Sequence, residues 1–128
     1  MIDYSEMSDF EVNKKVADIE GYHTLDIGHC HKDVFINIEN EDKDYYEFDV
    51  HKFDPCNNPS DAWPIILENG IGLTPIFSCN NRTYSLEKTG AWRAEKSEFS
   101  LEIDAKNPLR AAMIVFLMMK DKDNDHKK

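Results

Sequence analysis

The chain has 128 residues, 41% of them hydrophobic, with two Trp, seven Phe and five Tyr, which excludes wholesale disorder and suits one domain with a buried core. Its formal net charge of −10 excludes a generic nucleic-acid binder, because phosphate neutralisation needs an excess of Lys and Arg, and it favours a partner with a basic surface. The three cysteines, Cys30, Cys56 and Cys79, are odd in number and widely spaced, so they read as reduced thiols and not as a secreted disulfide framework.

Residues 1–6 lack the basic start and apolar stretch of a signal peptide. Ser8 and Glu11 then form a Ser-x-x-Glu capping box, with Asp9 placing negative charge at the positive end of a helix. Val12, Val16 and Ile19 recur at helical spacing, with Asn13, Lys14, Lys15 and Asp18 expected to face away, and Gly21 is a natural stop. From residue 22 to 53 the period switches to two. A strand around Leu25 and Ile27 is followed by Val34, Ile36 and Ile38, then by Tyr46, Phe48 and Val50, which predicts a hairpin about the polar turn 39–44. Residues 38–54 set seven acids (Glu39, Glu41, Asp42, Asp44, Glu47, Asp49, Asp54) against Lys43 and Lys52, a local balance of −5.

Asn58-Pro59 is a helix start, Pro64 is expected to kink that helix or divide off its first turn, and Gly70 ends it. Residues 71–104 return to short strands, with Pro75 demoting the first to an edge or bulge and Asn80-Asn81 supplying a hairpin turn. Alternation continues through Tyr84 and Leu86, Trp92 and Ala94, then Phe99, Leu101 and Ile103. Asn107-Pro108 repeats the helix start, and from Ala111 to Met119 every residue is apolar. Nine apolar residues fall short of the roughly 20 that span a bilayer, so this helix belongs at the centre of a core. The mixed charges of 120–128 have no apolar anchor and predict a frayed tail beyond a domain of residues 1–119. Runs of adjacent strands favour antiparallel pairing and an α+β fold, a mostly antiparallel sheet packed with about three helices, the last one central. Trp63, Trp92, Phe116, Ile65 and Ile66 are the candidate core.

The residues that could carry chemistry form no catalytic signature. His29 and His31 share one face of a strand and Cys30 the other, so the three cannot hold one metal ion together. Cys56 and the histidines lack a local nucleophile motif, and the five glycines are scattered singly, with no phosphate loop. The reading is a non-enzyme without a cofactor or a metal. Two binding surfaces stand out. One is an acidic face made of Glu39, Glu41, Asp42, Asp44, Glu47 and Asp49, suited to a basic groove on a protein. The other is an anion site at two helix starts, built from Asn58, Ser60, Trp63, Asn107 and Arg110, with Arg82 or Arg93 adding charge.

Three blocks carry a family resemblance: residues 3–14, residues 57–66 from Asn57 to Ile66, and Asn107 through Met119 with its Asn-Pro-Leu-Arg-Ala-Ala-Met-Ile-Val-Phe-Leu-Met-Met run. In them the chain resembles the NinX-like bacteriophage proteins, a group similar to the phage ABA-sandwich domains. The resemblance implies a phage or prophage origin, a place in the host bacterial cytoplasm and a layered α/β sandwich. It brings no activity and no catalytic residues. The expected function is that of a phage accessory protein acting by binding, one that modulates or inhibits a host process such as a defence system. The alternative is an oligomer that sequesters a phosphate-bearing signalling nucleotide. Neither reading calls for a membrane or for direct contact with nucleic acid.

Overall fold

Capping chemistry starts the helices where the sequence places it. In a computed structural model, which describes residues 3–25, 33–38 and 49–126, Ser8 Oγ accepts from the Glu11 amide at 3.2 Å and opens helix α1 (Asp9–Glu20). Gly21, in the left-handed region, closes it. Asn58 Oδ1 accepts from the Ser60 amide at 3.1 Å to open α2 (Pro59–Asn69), and Gly70 closes that helix in the same way. Pro64 sits inside α2 without dividing it. Asn107 Oδ1 accepts from the amides of Leu109 at 3.0 Å and Arg110 at 3.3 Å, opening α3 (Pro108–His126).

The described strands form two separate antiparallel sheets, each a meander. The first joins β1 (His23–Leu25), β2 (Val34–Ile38) and β3 (Asp49–Phe53) in that order. The second joins β4 (Gly72–Asn80), β5 (Ser85–Lys96) and β6 (Leu101–Ala105). Pro75 lies on the edge strand β4, next to a register shift between Pro75 and Phe77, as a residue without an amide proton requires. The turn between β4 and β5 spans residues 81–84, and its left-handed residue is Tyr84, not an asparagine. Asn80 contributes through its side chain, which accepts from the Arg82 amide at 2.9 Å.

Helix α3 is the hub of the fold. It packs against β5 and β6 on one side and against α1 and α2 on others, while α1 covers β1 and β2. Every residue from Ala111 to Leu117 is buried, in one continuous core with Val12 and Val16 of α1, Ile65 and Ile66 of α2, and Val34, Ile36 and Phe53 of the first sheet. The class is therefore α+β with the C-terminal helix at the centre, as expected, but with two three-stranded sheets in place of one.

Four expectations are corrected. Trp63 is not core: it lies on the outer flank of α2, 52% exposed, because Ala62, Ile65 and Ile66 define the buried side. Val50 points outward, since β2 pairs Val34 with Phe53 and Ile36 with His51, and a one-residue change of register exchanges the two faces of a strand. Asn13 is buried, not solvent-facing, and is held by hydrogen bonds described below. Residues 120–126 continue α3 instead of fraying. Tyr4 donates its hydroxyl to Asp121, the Lys122 ammonium donates to the Phe99 carbonyl at 2.6 Å, and Lys120 lies 5.5 Å from the Phe116 ring centre. Polar and cation–π anchors replace the apolar ones that the sequence lacks there.

Tyr4 is buried, and its phenol is pushed well above the ordinary range, first by burial and then by the Asp121 carboxylate that accepts its hydrogen bond. Tyr4→Phe is expected to cost roughly 1–2 kcal/mol in urea denaturation. The same change should raise amide exchange in residues 120–126, while exchange at 111–117 follows only the global loss.

Candidate functional site

The starts of all three helices converge on one short loop, residues 54–57. From α3, Asn107 Nδ2 donates to the Cys56 carbonyl at 2.7 Å and to Asn57 Oδ1 at 3.2 Å. From α1, buried Asn13 donates to Asp54 Oδ1 at 2.7 Å and accepts from the Cys56 amide at 3.1 Å. Asn57 Nδ2 reaches Asp9 Oδ2 at 3.1 Å. From α2, Asp61 accepts from the Asp54 amide at 3.0 Å, and its other oxygen lies 3.1 Å from His51 Nε2. Asparagines at helix starts thus do two things at once: the oxygen caps the helix and the amide ties it to the loop.

Arg110 is committed to this junction. Its guanidinium pairs with Asp9 Oδ1 at 2.6 Å and donates to the carbonyls of Met7 and Ser5. Burial pushes the Cys56 thiol up to about 12, with the Asp9 charge adding to the effect and Arg110 opposing it, so Cys56 remains a thiol at neutral pH. Arg93 is likewise paired, with Asp104 at 2.9 Å.

Two clefts open on either side of β3, sorted by the two-residue period of the strand. Lys52 and Asp54 face a cleft of about 540 Å³ that Asp9, Asp33, Asn13 and Asn57 also line. His51 and Phe53 face a second of about 320 Å³, lined with Glu20, Tyr22, Asp61 and Glu68. Six carboxylates thus line the pair of clefts, against Lys52, which bonds Asp33 at 3.3 Å, and His51. The Glu20 carboxyl is raised first by burial and then by the neighbouring Glu68 charge, with Lys120 offsetting part of the effect. Tyr22 is raised by burial and by Glu20, Asp61 and Glu68.

The sequence-derived sites fall unevenly on this geometry. Asn58, Asn107 and Arg110 meet at the junction, Ser60 lines the smaller cleft, and Trp63 stands apart on the outer side of α2. Glu39, Glu41, Asp42, Asp44 and Glu47 lie outside the described residues, as do His29, Cys30 and His31; Asp49 opens β3 opposite Ile38. Asn13, Asp9, Asp33, Asp54 and Asp61 were not singled out as site residues from sequence. Only their spacing relative to three helix starts could have flagged them, and these positions are far apart along the chain. Among the described residues no cluster of three or more His, Cys, Asp or Glu is placed to hold a metal ion, and no helix is long and apolar enough to cross a membrane.

A small α+β domain with a polar junction of helix starts and two acidic clefts defines a class by architecture, not by reaction. Residues 3–120 match the family described as Bacteriophage P22, NinX, and the chain belongs to that phage family. No curated protein and no solved structure matches it.

Proposed function

We propose that this phage protein works by binding, not by catalysis, and that it engages a basic surface of a host protein in the bacterial cytoplasm, modulating or inhibiting a host process such as defence. The observation that supports this most is the pair of clefts flanking β3, lined by six carboxylates against one lining lysine, Lys52, with Arg110 bound to Asp9 from the junction. Carboxylates held close together raise one another's proton affinity, and a Lys or Arg side chain entering the cleft relieves that repulsion. The acidic stretch 39–49 leads directly into β3, so its charge adds to the same region of the chain. A phosphate-bearing small molecule, the second reading, fits less well. The cap oxygens of Asn58 and Asn107 already occupy the first amides of their helices, and Arg110 is paired with Asp9.

The test is capture from host lysate by tagged wild-type protein, beside a variant carrying Glu20→Gln and Glu68→Gln and another with the acids of 39–49 made neutral. We expect a specific partner, with at least tenfold less recovered by the neutralised variants and by wild type at high salt. Equal recovery by all three, or no partner at all, overturns the reading. A nucleotide released on denaturation of the native protein would support the second reading instead.

A further inference from the structure

Away from the clefts, the outer half of the β4–β5 hairpin has no partner among the described residues. From residue 77 to 90 every residue is exposed except Asn80, which is half-buried. The hairpin is nonetheless well built. Its register pairs Phe77 with Lys88, Ser78 with Glu87, Cys79 with Leu86 and Asn80 with Ser85. Thr89 Oγ1 donates to the Ile76 carbonyl at 2.9 Å, and Asn80 Nδ2 donates to Glu87 at 3.0 Å.

Residues directly opposite in an antiparallel pair share a face, and alternate pairs face opposite ways. One face of this ribbon therefore carries Phe77, Cys79, Leu86 and Lys88, and the other carries Ser78, Asn80, Ser85 and Glu87. The first is apolar and open to solvent, with Phe77 45% and Leu86 71% exposed. A second apolar face without a partner among the described residues lies on α2, where Trp63 and Leu67, one helical turn apart, are 52% and 62% exposed.

We infer that the β4–β5 ribbon is a dimerisation arm whose Phe77–Leu86 face seats on the Trp63–Leu67 face of a second copy of this chain, reciprocally. Three observations favour a second copy as the occupant. Both faces are present on the same chain, which a two-fold interface requires. Arg82 and Lys88 against Glu87 give the arm one net positive charge, while α2, which carries the seat, has Asp61 and Glu68 and no Lys or Arg, so the two faces are complementary. Reciprocal docking also buries an arm face and a seat on each copy. The paired part of the ribbon has four residues per strand, 77–80 against 85–88, and is about 13 Å long, so it takes both reciprocal contacts together to build the interface. The inference does not rest on a host partner, because it is read from the mass of the purified protein alone.

The decisive measurement is the solution mass by sedimentation or light scattering. Wild type is expected at twice 14.9 kDa at tens of micromolar, and Leu86→Glu and Trp63→Glu should each weaken the dimer at least tenfold while melting like wild type. Placement is tested by Leu67→Cys in a Cys30→Ser background, cross-linked to Cys79 with a short bismaleimide in a mixture of ¹⁴N- and ¹⁵N-labelled protein. Mixed-isotope cross-links between the α2 and β4 peptides support the arm. A monomeric wild type, a dimer unaffected by both substitutions, or cross-links confined to single chains would overturn it.

Discussion

Leu117→Asp is expected to abolish folding. Leu117 is 1% exposed in the middle of α3, surrounded by apolar side chains contributed by the helices and sheets around that helix. A carboxylate there must either ionise without a partner or take up a proton, and both cost several kcal/mol. That is comparable to the entire 5–15 kcal/mol that holds a domain of this kind together. Circular dichroism should show no cooperative melt, and proton NMR should lose its dispersion. Leu117→Met, which conserves volume and polarity, should stay within about 1.5 kcal/mol of wild type. A cooperative melt in the aspartate variant would mean that α3 is not the hub.

The second large effect is expected from Asn13→Leu, at roughly 3 kcal/mol. Two consequences add: the Cys56 amide is left buried without its acceptor, and Asp54 loses a 2.7 Å donor. Each is worth about 1–3 kcal/mol in comparable settings. Asn13→Asp separates them, because it restores an acceptor for Cys56 but sets a carboxylate against Asp54. It should therefore be no better than leucine at neutral pH and improve as the pH falls and one carboxyl takes up a proton. Urea denaturation at several pH values checks both variants. A leucine variant as stable as wild type would show that the junction of helix starts contributes nothing net.

These two sites also mark how far the sequence could be read. Helix starts were legible because capping is local: Ser8, Asn58 and Asn107 bond to amides two or three residues away. Leu117 was legible as core because a run of nine apolar residues leaves a helix no wet side. Asn13 was not, since its burial depends on Asp54 and Cys56, 41 and 43 residues further on. The inward face of β3 was misread for a related reason. The alternation Tyr46, Phe48, Val50 is present in the sequence, but which face turns inward is decided by pairing with β2 and not by β3 itself. The same distance hides the clefts: Asp9, Asp33 and Asp54 come from three different parts of the chain. The charge of −10 announced an acidic surface without saying where its carboxylates would meet.

The position of the hub helix within the chain carries a last consequence. Helix α3 is the final element of the described domain, yet most of the other elements pack on it. During synthesis, at about 5–20 residues per second, α1 is complete roughly 4–18 s before α3 begins, whereas β6 is complete less than about 1 s before it. In that interval the apolar faces that pack on α3 are uncovered, and contacts such as Arg110 with Asp9, 101 residues apart, cannot form. Completion of the core therefore waits for α3 to be made. A chain that stops before Pro108 lacks the helix on which α1, α2, β5 and β6 pack, and is expected to be degraded instead of folding as a smaller domain.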